Sequence, residues 1–408
     1  MAQDASDIVI IGAGHGGVEL CAALRHNGFA GSITLISDET DIPYQRPPLS
    51  KDYIKRAANT PALVLKPAAF YPDNAIDLRL GTRAIAIDRD ARHVSLSDGT
   101  AIGYDRLVLA TGARNRMPPV PGLDHPDTLA LRSLADANRI VAALAATRRV
   151  TIIGGGFIGL EAASLLRSSG IAVDVVEMAP RLMQRAVSQT VSSWFLDHHR
   201  AEGSSVHLST TVRAIEHGSK TRTLLSSGDA LEADAVLLAT GIVPNDELAA
   251  AVGLEVDNGV VVDAMLSTAD PHISAIGDCA AYPSVHMGAR TRLESVQNAV
   301  DHARALAARL TGNIAPYDSL PWFWSIQGAA RLQIAGLARP GMTEIVREGA
   351  DESRFSVFLF DGDNLAAVES VNSPADHMAA RRLIGSPVRL TREQAADSTV
   401  ALKSLVTS

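Results

Sequence analysis

The sequence predicts an α/β fold of two similar domains, each built on a parallel sheet, followed by a smaller α+β domain. Three observations carry this. The same glycine pattern occurs twice, in IVIIGAGHGG at Ile8–Gly17 and in VTIIGGGFIG at Val150–Gly159. Each copy follows a β-branched run, opens a helix-like stretch and is followed by an acid at the end of a new apolar strand, Asp38 in one and Glu177 in the other. Each domain then closes on an ATG strand end, YDRLVLATGA at Tyr104–Ala113 and ADAVLLATGIVPN at Ala233–Asn245. The repeat spans about 130 residues, so the chain contains an internal duplication.

The first element, a strand at Ile8, runs into the turn at Gly12. Gly12 and Gly154 permit the tight exit from the strand, Gly14 and Gly156 leave room for a pyrophosphate against the backbone, and Gly17 and Gly159 let the helix approach the sheet. The free N–H groups at the helix start then face the phosphates, and Asp38 and Glu177 accept hydrogen bonds from ribose hydroxyls. Two such Rossmann-like units in one chain imply two dinucleotides bound together, most economically a flavin and a nicotinamide.

A Pro-rich loop follows at Ile42–Leu49, then two strands around RHVSLSDG, then the first ATG turn at Thr111 and Gly112. A crossover over residues 114–126 leads to the second unit, which repeats the order and reaches its own ATG turn at Gly241. Thr111, Gly112 and Gly241 are counted among the cofactor-binding positions. Strands ending at Gly277-Asp278 and an amphipathic helix over Gln297–Leu310 come next. From PWFWSIQ at Pro321–Gln327 the pattern changes to short strands (RLQIAGL, TEIVREG, RFSVFLFDG, NLAAVESV) and one helix (ADHMAARRLIG). The last stretch, AADSTVALKSLVTS, carries little signal and is expected to be partly mobile.

Composition narrows the function. At 408 residues the chain exceeds one core. A net charge of −8 without a long basic tract argues against nucleic acid. No apolar run is long enough for a bilayer, and the N-terminus lacks a signal-peptide pattern, so a cytoplasmic protein off the membrane is expected; a monomer is expected as well. The two cysteines, Cys21 and Cys279, form no CxxC or CxxxxC pair. Electrons therefore do not pass to a disulfide of this chain; Cys21 is read as packing, and Cys279, next to Asp278, as buried near the flavin without redox work. The histidines show no metal spacing, and His198-His199 is read as helix surface; no metal is expected.

With these motifs in hand, the order GAGHGG, IPYQRPPLSK, ATGAR, GGGFIGLE, ATGIVPN, AIGDCA, ESVQNA and PWFWSIQ resembles the NADH-dependent ferredoxin reductases of bacterial oxygenase systems. The resemblance covers nearly the whole chain. PPLSK and PWFW are its most specific pieces.

The resemblance implies a glutathione-reductase-like arrangement. FAD lies in a discontinuous domain of residues 1–115 and 246–318, NADH in residues 116–245, and a C-terminal domain of residues 319–408 covers the flavin. By matching motif, Gly12, Gly14, Gly16 and Gly17 cradle the FAD pyrophosphate and Asp38 meets its ribose. Arg46 and Lys51 lie along the FAD, and Ala84 lends backbone to the adenine. Arg132 contacts the FAD, Asp278 the ribityl chain, and Val296 places an N–H at the pyrimidine edge. On the nicotinamide side the resemblance implies Gly154, Gly156, Gly159 and Glu177, an ion pair of Lys51 with Glu161, and Phe157 as an aromatic gate where tyrosine is common. Trp324 screens the flavin from water. Ile326 departs from the family, which usually carries an aspartate there.

The implied reaction passes hydride from NADH to a non-covalent FAD and then single electrons to a 2Fe–2S ferredoxin feeding a cytochrome P450 or Rieske oxygenase. Lys66, Arg304 and Arg331 are the expected docking cations. Rubredoxin reductase and a charge-transfer flavoprotein with a signalling role are the alternatives; an NADH oxidase or peroxidase lacks its cysteine here. Glu177 predicts a preference for NADH, which Arg181, close in sequence, would soften.

Overall fold

The computed structural model describes residues 6–51, 53–54 and 63–406. Over these the chain divides into two compact units. One falls in Met1–Gln45, Asn59–Arg114 and Ile242–Ser319, the other in Arg46–Ala58, Asn115–Gly241 and Leu320–Ser408.

The first unit is centred on a five-stranded parallel sheet in the order Ile273–Ala275, Arg106–Leu109, Ile8–Ile11, Ile33–Ile36, Ile76–Arg79. IVII and ITLI are buried at every position, as strands covered on both faces must be. The fingerprint turn therefore leaves from the middle of the sheet. Its helix, His15–His26, packs against helix Val296–Leu310 so closely that a Cβ on Gly16 would lie 3.5 Å from the Ala299 carbonyl oxygen. Cys21 is fully buried in this core, and burial pushes its thiol up to about 12. The unit also holds a three-stranded antiparallel sheet around RHVSLSDG (Ala84–Asp88, His93–Leu96, Ala101–Gly103) and a small sheet of Val260–Val261, Ala280–Ser284 and Ala289–Thr291.

The second unit repeats the parallel sheet: Ser205–His207, Ala172–Val176, Arg149–Ile153, Ala235–Leu238, Thr128–Ala130. Its fingerprint helix is Phe157–Ser168. The same unit holds a five-stranded antiparallel sheet in the order Trp322–Gln327, Ala330–Gly336, Asn364–Val371, Phe355–Asp361, Thr343–Glu348. Helix Pro374–Leu383 packs against this sheet, with Ala380 and Leu383 in a core that includes Phe358, Phe360 and Val368.

Two expectations are corrected here. The C-terminal stretch is ordered: Arg392–Ala396 and Leu402–Val406 are helical, and Ala395 and Leu402 are buried in that same core. The buried Arg347 guanidinium donates to the carbonyls of Asp397 at 2.5 Å and Val400 at 2.7 Å, which pins the tail. Its apolar residues are too sparse to announce this in sequence; Thr407 and Ser408 lie outside the described residues. The His198-His199 pair is also not surface. His199 is fully buried and His198 is half-buried, its ring stacked 5.1 Å from Trp194.

The start of helix Gln189–Ala201 is held by two carboxylates of the C-terminal sheet. Glu344 accepts from the Gln189 N–H at 2.9 Å and the Thr190 hydroxyl at 2.7 Å. Glu369 accepts from the Ser188 N–H at 2.9 Å and its hydroxyl at 2.5 Å. Burial, with Glu344 adding to it, pushes Glu369 up to about 7. A carboxyl raised in the folded state holds its proton there more than in the unfolded chain. Its contribution is therefore full at low pH and is lost as pH rises from the ordinary glutamate value of 4.5 to about 7. Calorimetry from pH 5 to pH 8 should show this component, about 3 kcal/mol, and Glu369→Gln should remove it. An unchanged profile in that variant would place the titration elsewhere.

Candidate active site

The two fingerprints have the same local geometry. Gly12 and Gly154 sit at φ +110° and +113°, where a side chain is strained. A Cβ there would stand 2.1 Å from the Ala110 carbonyl oxygen in one copy and 2.2 Å from that of Ala239 in the other. Each ATG strand end thus closes on its own fingerprint turn. A Cβ on Gly17 or Gly159 would strike the Gly12 or Gly154 oxygen at 2.0 or 2.2 Å, so helix and turn touch through bare backbone. At Gly14 and Gly156 no described residue outside the local chain lies within 4 Å of a Cβ position, and neither helix has a side-chain cap hydrogen bond among the described residues. Each is an open concavity before a 12-residue helix whose first N–H groups lack intrahelical acceptors. That is the shape and donor set a pyrophosphate requires.

In the first unit, Asp38 is half exposed and 3.1 Å from Arg83, at the end of the second strand. Ala84 opens the antiparallel sheet at an irregularity in its pairing with Leu96. The Thr111 hydroxyl donates to the Asn245 carbonyl at 2.6 Å, and the Asn245 N–H donates to the Gly112 carbonyl at 3.0 Å, closing the first ATG turn. Asp278 lies in the turn Gly277–Cys279, and Arg292 donates to its carbonyl at 2.9 Å. Val296 is the first residue of its helix, whose cap Ser295 serves the Asn298 N–H. Sequence reasoning missed His302. It is fully buried, burial pushes it down to about 3, and its neutral Nδ1 accepts the Gly277 N–H at 3.2 Å, bracing the turn that carries Asp278.

In the second unit, Glu177 is anchored by its neighbours' backbone. One carboxylate oxygen accepts the Gly155 N–H and the other the Ala179 N–H, both at 2.7 Å. Arg181 does not face it. Its guanidinium donates to the carbonyls of Gln184 and Val187 at 2.8 Å and of Ser188 at 3.2 Å, so it is committed to its own loop. The Gly241 carbonyl accepts the Arg116 N–H at 2.9 Å, closing the second ATG turn.

The PPLSK turn, Pro47–Ser50, belongs to this unit. Lys51 Nζ stands 2.9 Å from Glu161 Oε2, which also accepts the Ser50 hydroxyl at 2.8 Å. Glu161 Oε1 accepts the Ser325 hydroxyl at 2.8 Å and the Ile326 N–H at 3.3 Å. Glu161 is only 7% exposed, so four donors meet a buried carboxylate. The Phe157 ring packs 4.6 Å from Phe323. Arg46 donates to the Arg132 carbonyl at 2.5 Å.

Strand alternation explains the rest of PWFWSIQ. Phe323, Ser325 and Gln327 share one face and Trp322, Trp324 and Ile326 the other. Trp324 is half-buried with its ring 5.4 Å from Trp322. The Arg381 guanidinium lies 4.4 Å over the Trp322 ring. Ile326 is exposed and meets Glu161 through backbone alone, so the loss of the usual aspartate leaves that carboxylate's bonds intact.

Tertiary structure also brings His125, Asp127 and His217 together, with one ligand atom of each within 4.8 Å of the others. The two rings stack 4.0 Å apart at 19°. Stacked imidazoles point their in-plane lone pairs side by side and not at a common centre, so the stacking itself accounts for the group.

The family model described as pyridine nucleotide-disulphide oxidoreductase matches residues 6–303, and the reductase C-terminal model matches residues 322–406. Rhodocoxin reductase from Rhodococcus erythropolis is 50% identical over 398 residues, covering 97% of this chain and 93% of that protein. Putidaredoxin reductase from Pseudomonas putida is 38% identical, covering 98% and 96%. A ferredoxin reductase from Rhodopseudomonas palustris superposes with a TM-score of 0.95 at 45% identity, covering 98% of this chain and all of that one. The reductase in a covalent putidaredoxin reductase–putidaredoxin complex also gives 0.95, at 38% identity and 98% coverage of each chain.

Proposed function

Since the chain belongs to the pyridine nucleotide-disulphide oxidoreductase family and carries its reductase C-terminal domain, we propose that it is an NADH-dependent ferredoxin reductase of a cytochrome P450 or Rieske oxygenase system. It is an FAD- and NADH-dependent oxidoreductase. The observation that carries the proposal is the combination of two open dinucleotide cradles with no dithiol. The only two cysteines are fully buried thiols in the first unit, so the electrons leave for a separate acceptor.

Residues 1–115 and 246–318 would hold FAD, through the backbone of Gly12, Gly14, Gly16 and Gly17 and through Asp38, Ala84, Thr111, Gly112, Asp278 and Val296. Arg46, Lys51 and Arg132 are assigned to the same group. Residues 116–245 would hold NADH, through Gly154, Gly156, Gly159, Glu177 and Gly241, with Phe157 as gate. The C-terminal residues 319–408 supply Trp324 as the screen against water. When bound, FAD accepts two electrons from NADH and releases them one at a time. The protein's part is to bind, orient and exclude water. Glu177 takes the ribose hydroxyls, and Glu161 holds Lys51 in place.

The acceptor is a 2Fe–2S ferredoxin, met by a cytoplasmic monomer. Among the described residues no helix is long and apolar enough to cross a membrane. We assign the docking cations to Lys66, Arg304 and Arg331. Lys66 lies 5.3 Å over the Phe70 ring, Arg304 pairs with Glu19 at 2.6 Å and Arg331 is exposed. Because Glu19 offsets its charge, Arg304 contributes the least to steering.

The test is NADH-driven cytochrome c reduction with candidate ferredoxins added singly. Turnover should depend on the ferredoxin and fall as salt rises, because steering is screened over about 8–10 Å. Ferricyanide reduction, which needs no docking, should stay flat. Arg331→Glu should raise the KM for ferredoxin and leave that for NADH alone. Cytochrome c reduction indifferent to every ferredoxin would sink the proposal.

A further inference from the structure

A buried polar chain runs back from Glu161. His199 Nε2 lies 2.8 Å from Gln327 Oε1, Gln327 Nε2 lies 3.2 Å from Ser325 Oγ, and Ser325 Oγ lies 2.8 Å from Glu161 Oε1. His199, Gln327 and Ser325 are all fully buried. Chemistry gives each bond one direction. The glutamine oxygen only accepts, so His199 Nε2 carries the hydrogen. The glutamine nitrogen only donates, so Ser325 Oγ accepts from it and turns its own hydrogen toward the carboxylate. Burial lowers the pKa of His199, and its Nδ1 has no hydrogen-bond partner among the described residues, the Glu202 carboxylate lying beyond hydrogen-bond reach at 4.0 Å. The neutral Nε2–H tautomer is the form that completes the chain.

Three buried polar side chains are an expensive way to pack a strand on two helices, since apolar groups of the same shape would do it without desolvation cost. We infer that His199, Gln327 and Ser325 form a positioning chain for Glu161. It fixes the direction of the Ser325 hydroxyl, so that one carboxylate oxygen is held by the strand while the other is left to Lys51 and Ser50. None of the three touches the reacting groups; each acts through the next. The inference rests on the reading of Lys51 and Glu161 as the pair that acts in the reaction with NADH.

The test uses the FAD-loaded protein with Ser325→Ala, Gln327→Met, which keeps length and loses the amide, and Ser325→Thr, which keeps the hydroxyl. With 15N-labelled histidine, the His199 signals, identified by their loss in His199→Phe, should show the Nε2–H tautomer. Gln327→Met should abolish that preference. In ferricyanide assays Ser325→Ala and Gln327→Met should each lower kcat about tenfold, with the KM for NADH within twofold. Ser325→Thr should recover most of the loss. A contact that served packing alone would lower Tm and leave kcat in place. Wild-type kcat in both variants, with turnover lost in Glu161→Gln, overturns the positioning chain alone. Turnover unaffected in Glu161→Gln overturns the reading of the ion pair as well.

Discussion

Replacing Glu161 with alanine is expected to lower NADH-dependent ferricyanide turnover about a hundredfold. It should also destabilise the fold by about 3 kcal/mol, the lower end of the cost of breaking a buried ion pair, because Lys51 keeps 23% exposure. The cause is local. Lys51, Ser50, Ser325 and the Ile326 N–H all direct hydrogen at this one carboxylate, and its removal takes the acceptor from the Ser325 hydroxyl and the Ile326 N–H and leaves Lys51 and Ser50 only the long bonds to the Pro47 carbonyl, at 3.4 and 3.3 Å. Glu161→Gln keeps shape and an acceptor oxygen, so stability should recover more than turnover does. Stopped-flow flavin bleaching by NADH, with urea unfolding of the same samples, separates the two. Rapid bleaching in Glu161→Ala would remove the pair from the reaction.

The second large effect concerns the nicotinamide. Wild-type kcat/KM should favour NADH over NADPH by about ten- to a hundredfold, the worth of a hydrogen bond to a charged group. Glu177 is fixed by the Gly155 and Ala179 N–H groups and keeps lone pairs for ribose hydroxyls, while the same charge repels a 2′-phosphate. Glu177→Gln should lose most of the preference through weaker NADH use. NADPH should gain little, because the Arg181 guanidinium is bound to three carbonyls of its own loop and offers that phosphate no partner. A wild-type protein equally efficient with both nucleotides would contradict the role of Glu177.

Both cradles were legible in sequence because their physics is local. Gly12, Gly14 and Gly17, like Gly154, Gly156 and Gly159, act within one turn and one helix, and the acids stand one strand further on. The C-terminal strands were legible for the same reason, since alternation along RFSVFLFDG is a property of neighbours. The buried state of His199 was not. Its partner Gln327 lies 128 positions away on a strand of another sheet, and a His-His pair on a helix reads the same whether that face is covered or wet. Ile326 likewise reads as a lost carboxylate, although only its backbone meets Glu161. The tail was misread because its order depends on Arg347, a long-range donor to carbonyls that any sequence would supply.

The sequence by itself determined the α/β class, the duplication, the two dinucleotide cradles and the absence of a dithiol, since each rests on residues close along the chain or on a count. Only the tertiary structure decided that Arg181 is spent on its own loop. It alone showed that Glu161 is buried under four donors, and that Ser325, Gln327 and His199 stand behind it in one directed line. These depend on where distant segments meet, and a hydrogen bond has no direction or partner until both of its ends are in place.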